Sequence, residues 1–110
     1  MPDLIKLVSG DTRPEITLTL TDEVTGDPID LSAASVEVFI NFRAAGSTTL
    51  IEAIPADKTD AVNGIVTFDF STGALYGLAA GAYEGEIEIS YSGDTHTLYD
   101  VLKFRVRDGF

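Results

Sequence analysis

The sequence predicts an all-β domain, an Ig-like Greek-key β-sandwich of two antiparallel sheets with about seven or eight strands. Three observations point there. Short segments that alternate apolar and polar residues recur along the whole chain. Clusters of Gly, Asp, Asn, Pro and Ser separate them at regular intervals. And Tyr83 opens a late strand directly after a Leu- and Gly-containing loop, the setting of a tyrosine corner, whose hydroxyl bonds back to the loop backbone.

Taken in order, "DLIKLV" is a short first strand. After "SGDTRP", the run "EITLTLT" puts Ile16, Leu18 and Leu20 on one face and threonines on the other. "DEVTGDP" is a turn, and "IDLSAA" leads into "SVEVFINFR". There Val36, Val38, Ile40 and Phe42 form the inward row, while Glu37, Phe39, Asn41 and Arg43 face out. "TLIEAI" reads as a short edge strand and "PADKTDAVNG" as a polar turn region. "IVTFDF" follows with Val66, Phe68 and Phe70 inward. "STGALYGLAAG" holds too much glycine for more than one helical turn and reads as a crossing from one sheet to the other.

The chain closes on a hairpin whose register can be counted. With Gly93 and Asp94 at the two central positions of a tight turn, glycine stands first, as a type II′ turn requires. Tyr91 then faces His96, Ile89 faces Leu98, Gly85 faces Leu102 and Tyr83 faces Phe104 on the core side. Ser90 with Thr97, Glu88 with Tyr99, Glu86 with Val101 and Glu84 with Lys103 make the outer side, the last an opposite-charge pair. A slip of one residue would invert one strand's faces. This register sets Asp100 opposite Ile87 on the core side, where a lone carboxylate is costly. A bulge or a rim position near Asp100 resolves the conflict.

The 110 residues suffice for one two-layer core, so residues 1–110 are expected to form a single domain. No apolar run approaches the roughly 20 residues that span a bilayer. The start, "MPDLIKLVSG", has an acid where a signal peptide needs basic residues, so the chain reads as one made and used without secretion. With no cysteine, neither a disulfide framework nor a thiolate metal site can form. The net charge of −11 speaks against a nucleic-acid footprint and against an anionic membrane surface. Solubility accounts for such a charge, and so does a surface complementary to a basic partner.

A search for chemistry finds no convergent set, and the chain is expected to be no enzyme. His96 is the single histidine, beside the last turn, and no G-x-S-x-G elbow offers a nucleophile. The acidic loops "DEVTGDPID" and "DKTDAVNG" lack the spacing of a calcium loop. Glu84, Glu86 and Glu88 lie along one strand face, where a solvated surface is the simpler account of paired carboxylates. No metal or cofactor is therefore expected. What remains is surface: Phe39, Tyr99 and Val101 face outward and are candidates for an interface.

"GDTRPEITLTLTD", "DPIDLSAASVEVFI" and "NGIVTFDFSTGALYGLAAGAYEGEIEIS", in that order and followed by "LKFRVRDG", resemble the N-terminal Ig-like domain of phage baseplate upper proteins. The Gly-Asp-x-x-Pro opening, the Pro-x-Asp-Leu lead-in to a central strand and the late Gly-x-Tyr carry the likeness. It implies a bacteriophage structural protein of the virion, assembled in the host cytoplasm, either a tail or baseplate adaptor or a capsid decoration protein. Its partners would be other virion proteins, with the chain homo-oligomeric or held in a lattice, docked through its acidic surface and edge strands. Leu4, in the first strand, and Phe110, in the closing "RDGF", belong to the segments expected to order against a neighbour. The alternative is an Ig-like module that binds carbohydrate or a cell surface, for which Phe39 and Tyr99 are the available aromatics.

Overall fold

The structure, a computed structural model, describes residues 4–22, 24–98 and 101–108. Eight strands form an all-β fold: β1 Leu4–Val8, β2 Ile16–Thr19, β3 Glu37–Ala44, β4 Leu50–Asp60, β5 Ile65–Phe68, β6 Gly81–Ser90, β7 Thr95–Thr97 and β8 Leu102–Arg107. Hydrogen bonding runs in one path, β1-β8-β6-β3-β4-β5-β2, with β7 beside β6. The path curls so that β1, β8, β6 and β3 on one side and β5 and β2 on the other enclose a common core.

The inward rows follow the alternation. Val38, Ile40 and Phe42 of β3, Val66 and Phe68 of β5, and Leu102, Phe104 and Val106 of β8 are buried, and so is Phe70. Four aromatic rings meet at the centre. Phe42 stacks on Tyr83 at 5.5 Å and meets the edges of Phe70 at 5.8 Å and Phe104 at 5.3 Å. No polar or charged side chain is buried among the described residues. Cohesion therefore rests on apolar packing and on the strand ladders.

The pairing departs from expectation at three places. β1 runs parallel to β8, Ile5 beside Phe104 and Leu7 beside Val106, so the sheet is mixed rather than antiparallel throughout. The second departure is β4, which continues through Pro55 to Asp60 instead of ending before a polar turn. Its first half pairs with β3, Ile54 beside Ile40, and its second half with β5, Lys58 beside Val66. One strand thus carries the chain from layer to layer. Pro55 fits because the first half of β4 has β3 as its one neighbour, and a residue without an N–H is tolerated where one edge is open.

The third departure is the last turn. Ser92 and Gly93, not Gly93 and Asp94, are its central residues: the Tyr91 N–H donates to the Asp94 carbonyl at 2.7 Å and the Asp94 N–H to the Tyr91 carbonyl at 3.3 Å. Gly93 takes φ +90°, so glycine occupies the second central position. Glu88 consequently faces Thr97 rather than Tyr99, and Ile89 faces His96 rather than Leu98. From Leu102 onward the counted register holds, with Gly85 beside Leu102, Glu84 beside Lys103 and Tyr83 beside Phe104. From Glu88 to Gly85 on β6, the return strand uses two residues more, from Thr97 to Leu102. An offset of two leaves every side chain on its face, so the sorting of apolar from polar survives. Tyr99 and Asp100 lie outside the described residues.

The crossing segment after Phe70 contains turns and no α-helix. It is tied down from several sides: the Gly10 N–H donates to the Leu75 carbonyl at 2.8 Å and the Ser9 hydroxyl to the Leu78 carbonyl at 2.9 Å. The Tyr83 hydroxyl donates backward to the Ala79 carbonyl at 2.7 Å. A net hydrogen bond of this kind contributes about 0.5–1.5 kcal/mol. Tyr83→Phe keeps the ring stacked on Phe42 and removes only the donor. Its urea midpoint is expected to fall by an amount equivalent to about 1 kcal/mol, and an unchanged midpoint would show that the corner contributes nothing.

Candidate interaction face

Alternation leaves one face of the β1-β8-β6-β3-β4 layer turned outward, and the registers place its side chains in rows. One row runs Leu4, Lys103, Glu84, Arg43 across four strands. To one side of it lies Lys6, Arg105, Ala82. To the other lie Glu86, Asn41, Ala53 and then Thr97, Glu88, Phe39, Pro55, with Ser90 beside Glu37 beyond. A shallow depression on this face is lined by Asn41, Arg43, Leu50, Ala53, Glu86 and Glu88.

Sequence reasoning opposed Glu84 to Lys103, and the two positions are neighbours. The ion pair, however, forms on the other side of β6, with Arg43 Nε 3.0 Å from Glu84 Oε1. Both side chains are about a quarter exposed or less. A partly exposed pair of this kind is worth about 0.2–1 kcal/mol. The local hairpin count could not find it, because β3 lies some forty residues earlier in the chain.

The proposed interface residues are spread over this same face. Phe39 is half-buried between Glu88 and Pro55, Val101 is half-buried just before β8, and Leu4 is 51% exposed at the β1 edge. β6, with its glutamates, separates Phe39 from the β8 side, so the apolar side chains do not join into one patch. Tyr99 and Phe110 lie outside the described residues. Gly93 and Asp94 stand at the exposed hairpin tip, and Tyr83 is in the core.

No group of three or more His, Asp or Glu among the described residues is arranged to hold a metal ion. His96 sits half-buried on β7 opposite Ile89. Three aspartates are held below the usual carboxylate range by local hydrogen bonds. The Asp22 carboxylate accepts from the Val24 and Thr25 amides at 2.8 and 3.1 Å. The Ser32 and Ser71 side chains and amides act likewise on Asp30 and Asp69. All three are turn-forming carboxylates at the loop ends, stabilising reversals rather than composing a site.

No protein-family model matches the sequence, and no curated protein matches it. Among solved structures, the chain is similar to the N-terminal domain of phage TP901-1 ORF48, with a TM-score of 0.62 and 16% identity. The match covers 96% of this chain and 84% of that one.

Proposed function

We propose that this chain is a non-catalytic structural protein of a bacteriophage particle that works by docking on neighbouring virion proteins. The observation that carries the reading is the fold likeness to a phage protein domain over nearly the whole chain. The motif order that resembles baseplate upper proteins is consistent with it. Within the particle the chain acts as a tail or baseplate adaptor or as a capsid decoration protein. Docking uses the acidic surface and the open edge at β1.

Immunogold electron microscopy on particles from a producing lysate, with antibody against this chain, tests the reading. Gold on particles is the expected result; label at the tail tip identifies an adaptor and label over the head a decoration protein. Particles that carry no gold overturn the assignment to the virion.

A further inference from the structure

The chain is strongly acidic, yet its basic residues are not scattered. Four of its seven Lys and Arg lie on the outward row of β1 and β8: Lys6, Lys103, Arg105 and Arg107. Only Arg13, Arg43 and Lys58 remain elsewhere, against 18 Asp and Glu in the chain as a whole. Lys6 stands directly beside Arg105 across the parallel ladder, and both are exposed. Like charges facing each other across strands destabilise a sheet. Lys6, Lys103 and Arg105 make no ion pair with any described residue.

The same face carries the opposite cluster. Glu86 and Glu88 of β6 and Glu37 of β3 point outward next to Phe39, and none of them makes an ion pair with a described residue. Glu86 and Glu88 are two and four residues along β6 from Glu84, which neighbours Lys103, so they stand about 7 and 13 Å along the strands from the Lys103 row. One outward face thus carries a basic cluster toward one end and an acidic cluster toward the other.

We propose that this face binds a second copy of the chain, the two outer faces stacked about a two-fold axis that sets Lys6, Lys103 and Arg105 of each copy against Glu37, Glu86 and Glu88 of the other. A two-fold axis lying between the faces, midway between the clusters, exchanges them by necessity, so the contact is self-complementary and closed. The five strands of this layer average about seven residues, which gives a face about 20 Å wide and about 24 Å long. That is roughly 500 Å² in projection, the low end for a specific contact, since ordinary interfaces bury about 800 Å² per partner. Leu4 and Phe39 supply apolar area within it.

Screening decides how the contact shows itself. At about 0.1 M salt the Debye length is about 10 Å, so facing clusters attract while most of the remaining negative surface of the two copies is screened. At about 1 M it is about 3 Å, and the attraction fades. Nothing in the contact requires a virion, so its test is independent of the particle assignment.

Sedimentation velocity of the full chain at both salt concentrations is the experiment, with two charge-reversed variants. Lys103→Glu with Arg105→Glu sets acid against acid, and Glu86→Lys with Glu88→Lys sets base against base. The parent is expected to dimerise at about 0.1 M and to dissociate at about 1 M. Each variant alone is expected to lose at least about tenfold in dimer affinity, and their equimolar mixture to form a heterodimer, because both halves of the contact are then complementary. Circular dichroism checks that each variant folds; Lys103→Gln with Arg105→Gln replaces one that does not. A parent that is monomeric at 0.1 M, or a dimer indifferent to both salt and reversal, overturns the proposal.

Discussion

Phe42→Ala is expected to lower the unfolding free energy by about 3–5 kcal/mol. Phe42 is fully buried on β3, and its ring is the hub of the aromatic cluster, touching Tyr83, Phe70 and Phe104. Truncation removes the transfer free energy of the ring and leaves a void bounded by three rigid rings that cannot collapse without losing their own contacts. Domains of this size are stable by about 5–15 kcal/mol, so the loss takes a large share of the total. Equilibrium urea unfolding reads it, or a fall in Tm of roughly 12 °C or more. Phe42→Leu, which keeps most of the volume, is expected to cost well under half as much. A cost for Phe42→Ala below about 1.5 kcal/mol would mean that the ring cluster does not organise the core.

The second large effect belongs to Gly64, at the end of the 3-10 turn Ala61–Asn63. Its φ is +69°, which costs a residue with a side chain about 1–2 kcal/mol. The greater obstacle is space. A Cβ there would lie 2.6 Å from the Leu20 carbonyl oxygen, 2.8 Å from that of Ile29 and 3.1 Å from the Ile29 nitrogen, all backbone atoms that cannot swing aside. Those atoms belong to a ladder in which the Leu20 N–H donates to the Gly64 carbonyl at 2.8 Å and the Ile29 N–H to the Leu20 carbonyl at 2.9 Å. Gly64→Ala must displace that ladder, and a total cost of about 3–5 kcal/mol is expected. Gly93→Ala separates the two causes, since Gly93 has φ +90° but nothing within 4 Å of a built Cβ. It pays for the dihedral alone. If the two alanine variants prove equally stable in urea, the close approach at Gly64 is not what the position requires.

Much of the fold was legible because alternation reports directly on burial. In "SVEVFINFR" and "IVTFDF" each apolar position on the predicted row is buried, and the outward positions Glu37, Phe39, Asn41 and Arg43 are not. The lower half of the closing hairpin was countable too, since its strands are joined by a short turn and hydrophobic sorting permits few registers. The turn itself escaped, because moving its centre from Gly93-Asp94 to Ser92-Gly93 shifts the register by two and leaves every face unchanged. β4 escaped for a different reason. A strand that passes between layers presents few positions to the core, and Ile54 is its one fully buried side chain. Its second half therefore carries the polar pattern of a loop.

Composition and alternation by themselves determined the all-β class, the inward rows and the lack of cysteine chemistry. They did so because each depends on a residue and its immediate neighbours along one strand. Tertiary structure alone decided which strands became neighbours: β1 against β8 across about a hundred residues, β3 against β6, and with them the Arg43–Glu84 ion pair. It also decided that an acidic chain gathers Lys6 with Lys103 and Arg105 on one edge. Period-two patterning states how far a side chain is from water but not what lies on the adjacent strand, and it is the adjacent strand that turns single charges into a surface.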